Sequence, residues 1–309
     1  MRTAFIEELI RLARTNPRVF LVVGDLGYSV VEPYAREFPD RFLNAGVAEQ
    51  NMTGVAAGLA SEGYQVFTYS IANFPTFRCA EQIRNDVAYH GLPVTVVAVG
   101  GGLAYGSLGY SHHAVQDIAL MRSFPGVLLA CPGDPVETRA CVSYLVAHPQ
   151  PSYLRLGKGG EPCVRSDQPE LLPGHALAAR NAKGARCALL TTTAVLKLAA
   201  DASQATGLLR PWDVASLPLW NEASVRHALL KWIDRYDFVV TVEDHLAAGG
   251  FGSFVRECLA DVPALAARVR GCSLNAQVCG MVGSQKKLNS VGGLSVENLV
   301  AVMNALSSS

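Results

Sequence analysis

Apolar runs of strand length alternate along the chain with longer segments of helical period, the pattern of a mostly parallel sheet flanked by helices. Residues 19–23, 65–68, 94–99 and 127–131 read as strands, the run from Val94 to Val99 being apolar but for Thr95. Between them 5–13, 48–61, 78–90, 115–123 and 135–147 carry helical spacing. After Leu156 the texture changes, and 157–180 is rich in Gly, Pro and polar residues with little periodicity. The alternation then resumes with a strand at 187–191, a helix at 195–208 and apolar segments at 215–219, 225–232, 238–242 and 251–259. The fold class expected is therefore α/β with two doubly wound domains, over 1–165 and 184–309, joined by a linker at 166–183.

Composition narrows the functions open to such a fold. Half of the 309 residues are hydrophobic and 17% are charged, which excludes disorder and predicts a charge-poor surface partly covered by another chain. Lys plus Arg and Asp plus Glu both number 26, so the basic excess that draws proteins to phosphate backbones is missing and no nucleic-acid partner is expected. No apolar run approaches the ~20 residues that span a bilayer, and Glu7 and Glu8 interrupt the N-terminal helix pattern. A soluble cytoplasmic chain with no signal peptide and no membrane partner is the expectation. The eight cysteines form no CxxC pair and no cluster at zinc spacing, so they read as buried thiols in a reducing compartment and no metal site is expected.

Two segments carry candidate chemistry. Glu49 opens a helix whose later turns are nearly all Ala, Gly and Val, so its surroundings should be dry. Desolvation raises the pKa of such a carboxyl and lets it share a proton with a ring nitrogen, although a Glu in a first turn also simply complements the helix dipole. Ser111-His112-His113 follows a glycine-rich run at the carboxyl end of the 94–99 strand, where open α/β sheets bind ligands. The two histidines suit proton transfer near neutral pH or a hydrogen bond to a substrate oxygen, and equally suit a capped loop. The glycines do not give G-x-G-x-x-G, which disfavours a nicotinamide-binding dehydrogenase.

Taken together, Gly24-Asp25-Leu26, Gly46-Val-Ala-Glu49-Gln, Phe74-x-x-Phe77 leading into Glu81-Gln-Ile-Arg-Asn85, and Gly109-Tyr-Ser-His112-His113 resemble the transketolase family of thiamine-diphosphate enzymes. In detail the chain resembles the C-terminal half subunit of a split transketolase, with Val242-Glu-Asp-His245 and Gly249-Gly-Phe-Gly252 matching the C-terminal domain. The resemblance implies that Glu49 hydrogen-bonds N1' of the cofactor pyrimidine and favours the imino tautomer that takes the C2 proton. It also implies that Phe74, or alternatively Phe77, stacks on the pyrimidine, that Asp25 lies at the cofactor, and that His112, with His113, handles substrate hydroxyl protons. The family's Gly-Asp-Gly with a downstream Asn, which holds the diphosphate and Mg²⁺, has no counterpart in this sequence. A separate diphosphate-binding subunit and an α2β2 assembly are therefore expected, with the Mg²⁺ ligands on the partner.

By position Arg2, Ser29 and Lys158 match family groups that hold a sugar phosphate, Lys158 replacing an Arg. Gly100 stands in place of a family histidine and Leu108 in place of an aspartate, two groups that grip phosphate and read hydroxyls. Losing such groups relaxes or redirects specificity by about 1–3 kcal/mol each, which disfavours ordinary pentose-phosphate substrates. The resemblance thus implies two-carbon ketol transfer between sugar-like substrates. The rivals are a decarboxylating 2-oxo acid dehydrogenase β subunit and a non-catalytic partner subunit; the Ser-His-His segment followed by Gln116-Asp117 disfavours the first, and an intact Glu49 the second.

Overall fold

The computed structural model describes residues 1–221 and 225–308. Their strands, in chain order, are β1 (Val19–Val23), β2 (Phe42–Asn44), β3 (Gln65–Ile71), β4 (Val94–Val99), β5 (Leu128–Ala130), β6 (Ser152–Leu156), β7 (Leu177–Arg180), β8 (Cys187–Thr191), β9 (Trp212–Ser216), β10 (Leu219–Trp220), β11 (Phe238–Leu246) and β12 (Val269–Leu274). Seven form one sheet in the order β10-β5-β6-β4-β3-β1-β2, and five form a second in the order β12-β11-β8-β9-β7. Every pairing is parallel except β10 on β5 and β7 on β9.

β1, β4 and β8 are buried along their whole length, which is why they read as apolar runs, interrupted only by Thr95 and Thr191. The helix Arg2–Ala13 lays Phe5, Leu9 and Ile6 against one face of the first sheet, with Leu21, Phe67 and Val97 beneath them. On the other face the helix Glu49–Ser61 buries Met52, Ala56 and Ala60 against Val22 and Val66. The small residues are what allow that close approach.

Three elements depart from expectation. The helix expected over 78–90 is an α-turn at Ala80–Gln82 continued as a π-helix over Ile83–Ala88. The helix expected over 195–208 is regular only over Leu196–Ala202, after a 3₁₀ turn. The stretch expected as linker contains β7, which pairs with β9 and closes one edge of the second sheet. β10, from the second half of the sequence, adds the outermost strand to the first sheet. One apolar core runs between the sheets, joining Val96, Ala98 and Tyr153 to Leu190, Trp220 and Phe251. Among the described residues no helix is long and apolar enough to cross a membrane.

Candidate active site

The carboxyl ends of β1 to β4 lie side by side, and the chemistry-bearing residues follow them: Asp25 after β1, Glu49 after β2, Phe74 after β3 and His112 after β4. Glu49 is the first residue of its helix, and its side chain is 3% exposed. Its Oε2 accepts a hydrogen bond from Arg78 Nη1 at 3.0 Å, while Oε1 is buried with no partner. A cavity of about 420 Å³, lined by Val47, Ala48, Glu49, Gln50, Asn51 and Arg78, opens in front of it. The dryness expected of Glu49 is therefore found, and a buried carboxyl oxygen without a partner is a demand for a donor.

Phe74 and Phe77 share one short helix, and both line a cavity of about 350 Å³ together with Arg78, Tyr110 and Gln116. The Phe74 ring lies under the Arg78 guanidinium at 4.2 Å and meets the His112 ring edge-on at 5.3 Å. Phe77 is 45% exposed. Asn73 fixes the segment opposite, its Nδ2 donating to the carbonyls of Ser111 and His113 at 3.0 and 3.1 Å.

The two histidines separate. His112 is half-buried with Nδ1 3.0 Å from Ser111 Oγ, and burial, helped by His113 and Arg78, lowers its pKa below the ordinary histidine value. It is therefore a neutral base at pH 7. His113 is 2% exposed, and its Nε2 lies 3.4 Å from the Gly106 carbonyl.

A second cavity, of about 240 Å³, is lined by Arg2, Leu26, Tyr28, Tyr69, Ser70 and Tyr105 among others. Arg2 Nε, the Tyr69 hydroxyl and Ser70 Oγ are buried there without partners. Lys158 Nζ sits 5.2 Å over the Tyr105 ring, so Arg2 and Lys158 bring two positive charges to one place. Ser29 is exposed, its backbone N–H donating to Glu32 at 2.8 Å; it does not line this cavity. Asp25 accepts from Asn44 Nδ2 at 2.9 Å and from the Tyr28 hydroxyl at 3.3 Å. Asp25 and Ser29 both hold left-handed backbone, with φ of 55° and 64°, strain of the kind that gathers at ligand sites. Gly24 lies close to both Glu49 and Ser70: an added methyl there would lie 3.6 Å from Glu49 Cγ and 3.5 Å from Ser70 Oγ.

The transketolase pyrimidine-binding domain model matches residues 1–161. The chain belongs to the transketolase family. It is 35% identical over 268 residues to one of the subunits of the apulose-4-phosphate transketolase of Phocaeicola vulgatus, covering 85% of this chain and 84% of that one. To a putative transketolase C-terminal section of Methanocaldococcus jannaschii it is 34% identical, covering 84% and 82%. Among solved structures, a split-gene transketolase described as an inactive beta4 tetramer superposes with a TM-score of 0.85 at 31% identity, covering 99% of this chain and 97% of that one. This transketolase thus shares the two-sheet fold with split-enzyme relatives along nearly its whole length.

In this transketolase, residues that sequence reasoning missed complete the site. Arg78 stands four residues after Phe74, the helical spacing at which a cation covers a ring, and that spacing was a usable signal. Tyr105 fills the space beside Gly100: a methyl on Gly100, whose φ is 82°, would overlap the Tyr105 ring. The Tyr105 phenol therefore takes up the room that a side chain at position 100 would need. Leu108, standing for the family aspartate, is 56% exposed. The family implies thiamine diphosphate, and the residues present fit its pyrimidine end: an unpartnered buried carboxyl oxygen lies beside an open cavity, with the Phe74 ring next to the guanidinium that holds that carboxylate. Among the described residues no group of three or more His, Cys, Asp or Glu side chains could hold a metal ion.

Proposed function

We propose that this chain is the pyrimidine-binding and C-terminal half of a two-component, thiamine-diphosphate-dependent transketolase that moves a two-carbon ketol unit between sugar-like substrates. The observation that carries this reading is Glu49 Oε1, buried and without a partner at the mouth of an open cavity. When bound, thiamine diphosphate supplies a carbon nucleophile and an electron sink for breaking a C–C bond beside a ketone. Glu49 Oε1 holds the exchangeable proton at the pyrimidine nitrogen, and Arg78 fixes the other oxygen so that the carboxyl cannot turn away. Phe74 packs on the ring face, Phe77 does not, and Asp25 borders the cofactor. His112 takes and returns the hydroxyl protons of the substrate, with Ser111 Oγ holding its Nδ1 side. Buried His113 supports the loop that carries it.

The Mg²⁺ and the diphosphate go to a separate subunit, in an α2β2 assembly. Support comes from large apolar side chains left exposed on the site's loops, Val47 at the Glu49 cavity, Tyr28 at the Arg2 cavity and Leu108 and Tyr110 on the loop after β4, at 73%, 70%, 56% and 54%, and from Gly54 and Gly58, which have open space before them. The cavity lined by Arg2 and Tyr105, with Lys158 over the Tyr105 ring, takes the distal, anionic end of a sugar or sugar phosphate. The names of relatives widen that class: a 6-deoxy-6-sulfo-D-fructose transketolase subunit from Clostridium is 31% identical over 308 residues. We assign 1–165 and 184–309 as the two domains, and the cytoplasm as the compartment, in keeping with eight free cysteines of which six are buried.

The test is to mix the purified chain with candidate diphosphate-binding subunits, Mg²⁺ and thiamine diphosphate and to assay ketol transfer. Turnover by the mixture alone is expected; turnover by this chain without a partner would overturn the reading. In the active mixture Phe74→Ala weakens thiamine diphosphate binding by about 3- to 10-fold, the worth of an aromatic contact, while Phe77→Ala changes it less than twofold. Equal losses in a cofactor titration would disprove the choice between them. His112 must be neutral to accept a proton, and its lowered pKa places the acidic limb of kcat/KM below the ordinary histidine value of ~6.5. A limb beginning above that value would assign it to another group.

A further inference from the structure

The loop 100–114 is closed at its neck: Gly102 N–H donates to the Ala114 carbonyl at 2.8 Å, and Ala114 N–H to the Gly102 carbonyl at 2.9 Å. It carries Tyr105, His112 and His113 between those points. Beneath the neck lies Arg155 of β6, 2% exposed. Its Nε donates to Asp117 Oδ2 at 2.7 Å, its Nη2 to the Ala114 carbonyl at 2.7 Å and its Nη1 to Asp244 Oδ1 at 2.6 Å. Asp244 belongs to β11 of the second sheet and also accepts from Thr193 Oγ1 at 2.6 Å.

The neck rests directly on this cluster. A methyl at Gly101 would lie 2.6 Å from Arg155 Cζ, and one at Gly102, whose φ is 66°, would overlap the Asp244 carboxylate. The second half of the chain also grips the loop higher up, where Gly283 N–H donates to the Gly106 carbonyl at 3.1 Å. That same carbonyl is the one facing His113 Nε2. Asp117, which also accepts from the Tyr153 hydroxyl at 2.5 Å, suffices to balance the Arg155 charge. Asp244 is then a surplus buried carboxylate, costly to desolvate and unnecessary for neutrality. What it does hold is the underside of the histidine loop.

We propose that Asp244, acting through Arg155 and the Gly102 backbone, is a positioning residue that sets the His112 imidazole against Phe74 from the second sheet, which adds no side chain to the lining of the Glu49 cavity. The proposal rests on the role given to His112 above. It makes the C-terminal domain a participant in the reaction through the neck of one loop.

Asp244→Asn tests it, since this change keeps the volume and an acceptor for Thr193 while removing the charge that holds Arg155; Asp244→Ala removes both. Backbone hydrogen exchange in the chain alone should be at least about tenfold faster at Gly102 and Ala114 in both variants, with the amides of β4 and β8 unchanged. In the reconstituted enzyme kcat should fall about tenfold while the affinity for thiamine diphosphate stays within twofold. Wild-type exchange at the neck, or an equal rise at neck and sheets, would overturn the proposal, as would a loosened neck with unaltered kcat. The separate variant His112→Gln judges the histidine itself: if it turns over normally, the reading of His112 fails, whereas the exchange result still reports whether Asp244 holds the loop.

Discussion

Glu49→Gln lowers kcat of the reconstituted enzyme by about 10²- to 10⁴-fold, the range of a positioned acid or base. The side chains are nearly the same size, and the glutamine carbonyl oxygen can still accept from Arg78, so the cavity keeps its shape. What disappears is the exchangeable proton on the oxygen that faces the cavity. The loss should therefore fall on kcat, with cofactor affinity changed less than tenfold and the thermal unfolding midpoint no lower than that of the wild type. Steady-state assays alongside a fluorescence titration of thiamine diphosphate separate these quantities. Turnover within a few-fold of wild type would remove Glu49 from the mechanism.

Arg155→Leu should cost about 3–5 kcal/mol of stability, because it strands two carboxylates in the interior. Asp117 is fully buried, and against the cost of that burial Arg155 and His245 hold its carboxyl below the usual range. Without the guanidinium the Asp117 and Asp244 charges face each other across the space it filled. Urea unfolding measures the loss. Adding Asp117→Asn and Asp244→Asn to Arg155→Leu should recover most of it, since the penalty lies in uncompensated charge and not in lost volume. A single variant that unfolds at the wild-type midpoint would mean that the cluster is solvated.

Where the sequence was legible, and where it was not, follows from the same physics. β1 and β4 announce themselves because both faces are covered, so every side chain is apolar apart from Thr95. β6 is equally buried but reads Ser-Tyr-Leu-Arg-Leu, and the charge of Arg155 hides a central strand behind a residue type that belongs at surfaces. Its acidic partners lie 38 and 89 residues away, at a separation no local pattern reports. β2 is three residues long and largely exposed, too short for periodicity to register. Glu49 could be read only through the resemblance of Gly46-Val-Ala-Glu49-Gln to a family motif, because a carboxylate in the first turn of a helix is common on its own. The different burial of His112 and His113 could not, since His112 ends a 3₁₀ turn while His113 leaves it in extended backbone, a change that only the turn geometry decides. Tyr105 was missed for a related reason: the glycine opposite it was visible as a missing side chain, whereas the ring that takes up the room comes from five residues further on.

The outermost strand of the first sheet, Leu219–Trp220, is borrowed from the far half of the polypeptide, and Trp220 is the hinge pin of the core that both halves share. An enzyme whose work is divided between genes must be divisible somewhere, and here the seam cannot run inside this chain. Cutting near residue 180 would leave β5 with an unpaired flank and bare an indole on the other piece. Neither half completes its packing without the other, so the two must fold as one piece.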